Sequence, residues 1–542
     1  MTLSTLHRPW RGLLLLWLIG LLINLWGIQQ GPLRDWDESL VARVALELSN
    51  KPWPDLLLPS QWGAAYLNKP PGAHWLIAGL IRLWRSTGGT GLPPEWLLRL
   101  GPAAGSSLLA PLLGLVQWQL RPGRRLDCLW TAAIALSLLP LARHAHLAML
   151  DGLQLAAMAL LWLGMLMRQP RGPLPGLIAG LAGSALLLLK APVVVPVLAV
   201  SLLLLGVEPS RSRPRWGWLL LGLALGLLPG LAWHGWHLAW RGDAALVMWG
   251  RQGFARVANA IENHSGGPIP PLIQVLTGGW PWLVLWPLGI QAAWRERSSR
   301  WGRWCLGLTA MASAMVLPLQ TQLPWYSLLL WPPFALCCGP VMTALVSGSL
   351  PAQLRRGIGS IWLVLGLLLF GGAIVSKLSL AAPAAAGLIA AGLIFSGSSS
   401  PLSQRHQAAW GLLGAWCISL LLLFSSPLWN WELNERPSIR PLQALVSRSS
   451  RTGALASLPL VVEGSIGNRP SLRWYAEARL GKGGKRGSID SWQRQGGLLL
   501  VSQAPAPEQS KLARTLGVSR INSQNCRLER RGTAGWQRWL CQ

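Results

Sequence analysis

Charge is what this chain has least of. Of its 542 residues 12% are charged and 51% hydrophobic, whereas soluble domains carry about 25% charged residues. The deficit excludes a disordered chain and a soluble enzyme of this size. Cysteine is sparse: there are seven, none in CxxC spacing. Cys128, Cys305, Cys337, Cys338 and Cys417 lie in or beside apolar runs and read as small packing residues. Cys526 and Cys541 lie in a polar C-terminal region, where a disulfide can form if that region is exported. A repeat of solenoid period is missing. So is a small-residue cleavage site after the basic start Met1 to Arg11, so the apolar run to about Gln30 reads as an uncleaved first span with a cytoplasmic N-terminus.

Long apolar runs are abundant: Gly12 to Gly27, Gly217 to Gly230 and Gly357 to Val375 are three of many. They predict a polytopic α-helical membrane protein. Lys and Arg number 48 against 19 Asp and Glu, a net charge of +29. In a soluble chain that excess would point to nucleic acid. Here the cations fall in short clusters between apolar runs, the pattern of topology signals, and no nucleic-acid partner is expected.

The clusters are Arg121, Arg124 and Arg125; Arg168 and Arg171; Arg211, Arg213 and Arg215; Arg295, Arg297, Arg300 and Arg303; Arg355 and Arg356; and Arg405. The apolar piece His74 to Leu83 is short for a span and reads as an amphipathic helix on the membrane surface. If it does not cross, every cluster falls on the N-terminal side, so the positive-inside rule selects thirteen spans with the C-terminus outside. Of the twelve acids in residues 1–430, only Asp127, Glu208 and Glu296 then lie inside. The long loops Gly31 to Leu98 and Arg241 to Pro271 lie outside, which makes the outer face the working face.

Residues 1–430 form the predicted transmembrane core. Residues 431–542 carry 18 Lys and Arg and seven Asp and Glu, with β-like runs at Leu458 to Val462 and Leu498 to Val501 and a helix-like stretch at Gln509 to Leu516. They predict a small extracytoplasmic α/β domain.

Two motifs in the first outer loop carry candidate chemistry. Arg34-Asp35-Trp36-Asp37-Glu38 places three carboxylates just past the first span, and Asp37 can cap the next helix or take a proton from a hydroxyl. In Tyr66-Leu67-Asn68-Lys69-Pro70-Pro71, two prolines pin a lysine near the interface, where it can meet a phosphate or simply snorkel. Together the motifs resemble the GT-C membrane glycosyltransferases, specifically the protein O-mannosyltransferase and aminoarabinose–lipid A transferase branch. Asp151-Gly152 resembles that family's second outer acidic motif, and Leu189-Lys190-Ala191-Pro192 its lysine–small–proline element. Arg256 to Pro268, with His264, is similar to its Gly-His-x-x-Pro loop. Gln322-Leu323-Pro324-Trp325-Tyr326 resembles its Lys-x-Pro-x-Tyr segment.

The resemblance implies transfer of a sugar from a polyprenyl-phosphate donor to a lipid, glycan or protein hydroxyl, at the outer face of a bacterial inner membrane. It implies Asp37, Glu38 and Asp151 as catalytic carboxylates. Lys69, Arg251, Arg256, Lys190 and Tyr326 would be the donor-phosphate groups. In that family a glutamate before the lysine and a loop histidine are linked to a divalent metal. Here His264 is the candidate ligand, but Asn68 replaces the glutamate, and an amide is a poor ligand beside a carboxylate. Gln322 stands where many relatives carry lysine, removing one cation from the phosphate. A transporter or flippase of a lipid-linked sugar is the rival reading, but such proteins place ionisable groups at mid-membrane.

The topology is tested by single cysteines at positions 87–92. An impermeant thiol reagent applied from outside intact cells should label them; labelling only after permeabilisation would mean that His74 to Leu83 crosses.

Overall fold

The computed structural model describes residues 9–34, 36–167, 172–209, 213–250, 267–397 and 400–430. In the C-terminal region it describes residues 460–462, 470–471, 474–475, 497–502, 526–531 and 536–541. Helix α1 (Trp10–Leu25) is followed by a long segment holding α2 (Glu38–Ser49), the hairpin β1–β2 (Ser60–Gln61, Ala64–Ala65) and α3 (Gly72–Ser86). The bundle resumes with α4 (Glu95–Ser107), α5 (Leu109–Leu120), α6 (Arg125–Ser137), α7 (Leu139–Ala145), α8 (Asp151–Leu166), α9 (Leu174–Lys190), α10 (Val194–Gly206) and α11 (Trp216–Arg241). It continues with α12 (Ile269–Gly278), α13 (Trp286–Arg295), α14 (Arg300–Val316), α15 (Trp331–Ser347), α16 (Ala352–Ser376), α17 (Ala382–Ser396) and α18 (Leu402–Phe424).

By length and composition, seven helical segments among the described residues can cross a membrane, or up to eight if α6 and α7, bent by 60°, form one span. Shorter apolar helices, α1, α8 and α12, accompany them. The chain is a polytopic helical membrane protein. Leu220, Leu221, Leu225, Leu228 and Leu231 of α11 stay exposed, as a lipid-facing stripe must.

The helical stretch Leu174–Gly206 spans 33 residues but folds back on itself at Lys190. Lys190 pairs with Asp151 at the start of α8. Glu208, just past α10, pairs with Arg300, which also binds the Leu166 carbonyl at the end of α8. The two ends of α8 therefore mark the two ends of an α9–α10 hairpin. Helix α11 then runs parallel to α9 at close backbone contact. Gly176 and Gly180 face Gly222 and Gly226, and a Cβ on Gly226 would lie 2.6 Å from the Leu177 carbonyl oxygen. Ser184 completes the seam, donating to the Gly226 carbonyl at 2.7 Å and accepting from the Gly230 amide at 3.0 Å. Small residues every fourth position let two backbones approach and gain van der Waals contact in lipid.

A helix covers the run His74 to Leu83 and extends past it, Gly72–Ser86. It buries Ala73, His74, Ile77, Ala78 and Ile81, a spacing that forms one helical face. That face packs on α2, and Arg82 donates to the Leu48 and Ser49 carbonyls in the last turn of α2 and to the Lys51 carbonyl just past it.

In the C-terminal region, β3 (Leu460–Val462), β4 (Gly497–Ser502), β5 (Cys526–Arg531) and β6 (Trp536–Cys541) form one sheet in the order β3-β4-β6-β5. The β3–β4 pair is parallel and the others antiparallel. The two apolar runs seen in the sequence are β3 and β4. Strands β5 and β6 lack such a run, and the stretch Gln509 to Leu516 lies outside the described residues. Backbone register sets Cys526 opposite Cys541. Opposed residues in antiparallel strands have Cα atoms about 4.5–5.5 Å apart, a separation that a disulfide spans. The five cysteines read as packing residues are free and buried.

The α9–α11 seam sets a stability test. Gly226→Ala should cost about 1–3 kcal/mol by overpacking against backbone atoms, lowering the thermal midpoint in detergent. Gly217→Ala, on the same helix with no atom within 4 Å of the added methyl, should leave it unchanged. Equal melts for the two variants would mean that the seam yields without cost.

Candidate active site

The turn after α1 is held from three directions. Glu38, the first residue of α2, is fully buried and forms a two-point ion pair with Arg99 of α4, at 2.7 Å to Nε and 2.9 Å to Nη2. It also accepts the backbone amides of Arg34 at 3.0 Å and Ala148 at 2.8 Å. Burial pushes the Glu38 carboxyl up, but the Arg99 charge and these bonds outweigh it and hold it below its ordinary value. Arg99 further donates to the carbonyls of Ile28, Gln30, Gly31 and Pro32. Ser39 closes the turn by donating its amide and hydroxyl to the Arg34 carbonyl, at 3.0 and 2.7 Å. Glu38 is expected among the catalytic carboxylates; each of its oxygens is held by Arg99 and by one backbone amide.

Inside this turn Trp36 adopts φ +45°, a left-handed conformation that non-glycine residues hold only where surrounding structure imposes it. Asp37 follows, partly accessible. Crowding by protein and the nearby Asp151 charge push its carboxyl up to about 7, against the opposing pull of Arg34 and Lys69. Four expected site residues, Asp37, Asp151, Lys69 and Lys190, therefore meet at one end of the bundle. Asp151 heads α8 and is ion-paired at 3.2 Å with Lys190 at the end of α9. The Lys190 ammonium lies 5.0 Å from the ring centre of Tyr326, which is buried. Lys190, expected at the donor phosphate, thus has a carboxylate and an aromatic face as its neighbours. Arg251, Arg256 and His264 lie outside the described residues.

Tyr66 and His74 floor the same region, their rings edge to face at 5.4 Å. Burial, then the charge of Asp37, pushes the Tyr66 phenol up. Burial pushes His74 down to about 4. Its Nδ1 meets the Pro70 carbonyl at 3.2 Å, while Nε2 is buried without a partner. Gln322, read as a lost phosphate cation, donates instead to the Val316 and Leu319 carbonyls at the end of α14, at 2.9 and 3.0 Å.

A cavity of about 440 Å³, lined in part by Glu47, Lys51, Asp55, Ser60 and Arg241, lies at the C-terminal end of α2, the end away from Asp37. Glu47 accepts Arg43, the Ser60 hydroxyl and the Gly63 amide, which ties the β1–β2 hairpin to α2.

The candidate metal ligand His264 lies outside the described residues. Among the described residues no three His, Cys, Asp or Glu side chains group to hold an ion, and Asn68 offers an exposed amide. Three groups go beyond the sequence reading. Arg99 is the first cation past the start of an apolar helix, a signal of intramembrane pairing. Arg34 lies inside the quoted acidic motif. Arg143, buried and bonded to the Trp429 carbonyl at 3.0 Å, lies just before Asp151.

No protein-family model matches the chain, and no curated protein does. Solved structures do. ArnT from Cupriavidus metallidurans in the apo state superposes with a TM-score of 0.67 at 16% identity, covering 98% of each chain. The same protein bound to undecaprenyl phosphate gives 0.65 at 15% identity, covering 99% of this chain and 98% of that one. The chain has the fold of ArnT.

The buried pair sets the test here. Arg99→Met leaves Glu38 unpaired inside protein and should cost about 3–5 kcal/mol. The double variant Glu38→Gln/Arg99→Met should recover part of it in detergent melts. Additive losses in that cycle would show that the two side chains are not coupled.

Proposed function

We propose that the chain is a glycosyltransferase that moves a sugar from a polyprenyl-phosphate donor to a hydroxyl of a lipid, glycan or protein. Its site would face outward from a bacterial inner membrane on a core of thirteen crossings, with residues 431–542 outside. One observation carries the reading. Asp37, Lys69, Asp151 and Lys190, from four separate stretches of sequence, gather at one end of a bundle whose fold is that of ArnT. One of those ArnT structures is bound to undecaprenyl phosphate. A long isoprenoid tail stays in the bilayer, so only its head must reach such a site.

Asp37 is the general base. At neutral pH a carboxyl near 7 is part ionised and able to take a proton. It removes the proton from the acceptor hydroxyl while that oxygen attacks the anomeric carbon. The bond from that carbon to the phosphate oxygen breaks, and the phosphate leaves with the electron pair. A single displacement inverts the anomeric centre. Lys69 stabilises the charge growing on the phosphate, joined by Arg251, Arg256 and the Tyr326 hydroxyl. Asp151, held by Lys190, keeps the base in place, and Glu38 fixes the turn. A transporter fits less well, because these groups sit at one end of the bundle and not along its middle.

Transfer from a polyprenyl-phosphate sugar by purified protein in detergent tests the reading. Asp37→Asn should lose about 10²–10⁴-fold in rate while folding normally. The wild-type rate should fall on the acid side of about pH 7, because the protonated carboxyl cannot act as base. A flat acid limb, or near-wild-type turnover in Asp37→Asn, would remove Asp37 from the mechanism.

A further inference from the structure

The amide of Leu33, one residue before the acidic turn, does not find its partner in the membrane core. It donates to the hydroxyl of Tyr475 at 2.5 Å, 442 residues along the chain. That hydroxyl in turn donates to Glu95 at the start of α4, at 3.0 Å. Tyr475 and its neighbour Trp474 are 7% and 3% exposed. They complete an apolar cluster with Leu33, Val41, Ala45, Ile77 and Leu97, which joins α2, α3 and α4. The turn is otherwise gripped by Arg99 through its carbonyls up to Pro32 and by Glu38 through the Arg34 amide. Leu33 lies between these two grips, and Tyr475 fills the gap.

We propose that the C-terminal segment is a working part of the active site, with Tyr475 as a positioning residue that locks the turn carrying Asp37. This rests on Asp37 being the base of the proposed transfer. The phenol is suited to the task. Burial, then the Glu95 charge, pushes it well above its ordinary value, so it keeps its proton, donating to Glu95 while accepting from Leu33. Docking of the C-terminal segment thereby becomes a condition for a correctly placed base. A chain in which Trp474 and Tyr475 have not packed against α2–α4 would carry a loosened turn and little activity.

The test is made on the full-length protein in detergent, by hydrogen exchange and kinetics together. Tyr475→Phe keeps the ring and removes the hydroxyl. Exchange in the peptide spanning residues 31–40 should rise roughly threefold to tenfold, the effect of one lost hydrogen bond. The kcat should fall about tenfold or more through misplacement of the base, with KM for the donor unchanged. Glu95→Ala, which leaves the buried ring intact, should act in the same direction. Glu95→Gln, which still offers an oxygen, should restore both readouts, so a poorly folding Tyr475→Phe does not remove the test. Unchanged exchange in both Tyr475→Phe and Glu95→Ala, or raised exchange with unchanged kcat, would overturn the proposal. A wild-type protein that transfers no sugar would instead sink the glycosyltransferase reading, and the exchange arm alone would then decide whether Tyr475 holds the turn.

Discussion

The ion pair between Glu38 and Arg99 is the constraint on which the candidate site depends. Both side chains are fully buried, and two charges taken out of water are tolerated only when geometry and hydrogen bonds satisfy each of them. The surrounding chain meets that demand. Four backbone carbonyls turn toward the guanidinium, and the Trp429 ring lies 5.7 Å from it. The carboxylate takes two amides, one from Arg34 and one from Ala148. Those amides sit three residues before Asp37 and three before Asp151. A single buried carboxylate therefore sets the spacing between the two acidic motifs.

Carboxylates are ion-paired at both ends of the bundle. Away from Asp37, Asp127 and Glu296 share Arg121, at 3.5 and 3.4 Å, and Glu208 is paired with Arg300 at 2.7 Å. Pairing of this kind offsets part of the cost of burying a carboxylate. At the other end Asp37 has Asp151 near it as well as cations, and its carboxyl is pushed up. Neighbouring carboxylates in a crowded site are how proteins bring a carboxyl toward neutral pH. The left-handed Trp36 beside Asp37 adds local backbone strain, which the Arg99 and Ser39 contacts hold in place.

The class of fold was legible in the letters alone. Apolar runs too long for a soluble core gave the helical membrane architecture, because backbone polar groups in lipid must be satisfied within helices. The short apolar run His74 to Leu83 pointed to the helix found at Gly72–Ser86, and the acidic and lysine motifs named Asp37, Lys69, Asp151 and Lys190 as candidates that the fold brings near one another. Strands β5 and β6 were not legible, since charged and polar residues interrupt their apolar positions and only the pairing partners make them strands. Tertiary structure alone decided what each charged group does. Nothing in Arg99, Glu38, Gln322 or Tyr475 as letters says that the first two neutralise each other, that the third binds the end of a helix, or that the fourth reaches Leu33. Ion pairs and hydrogen bonds form over about 3 Å, and contacts between residues 61 or 442 positions apart exist only after the intervening helices have packed.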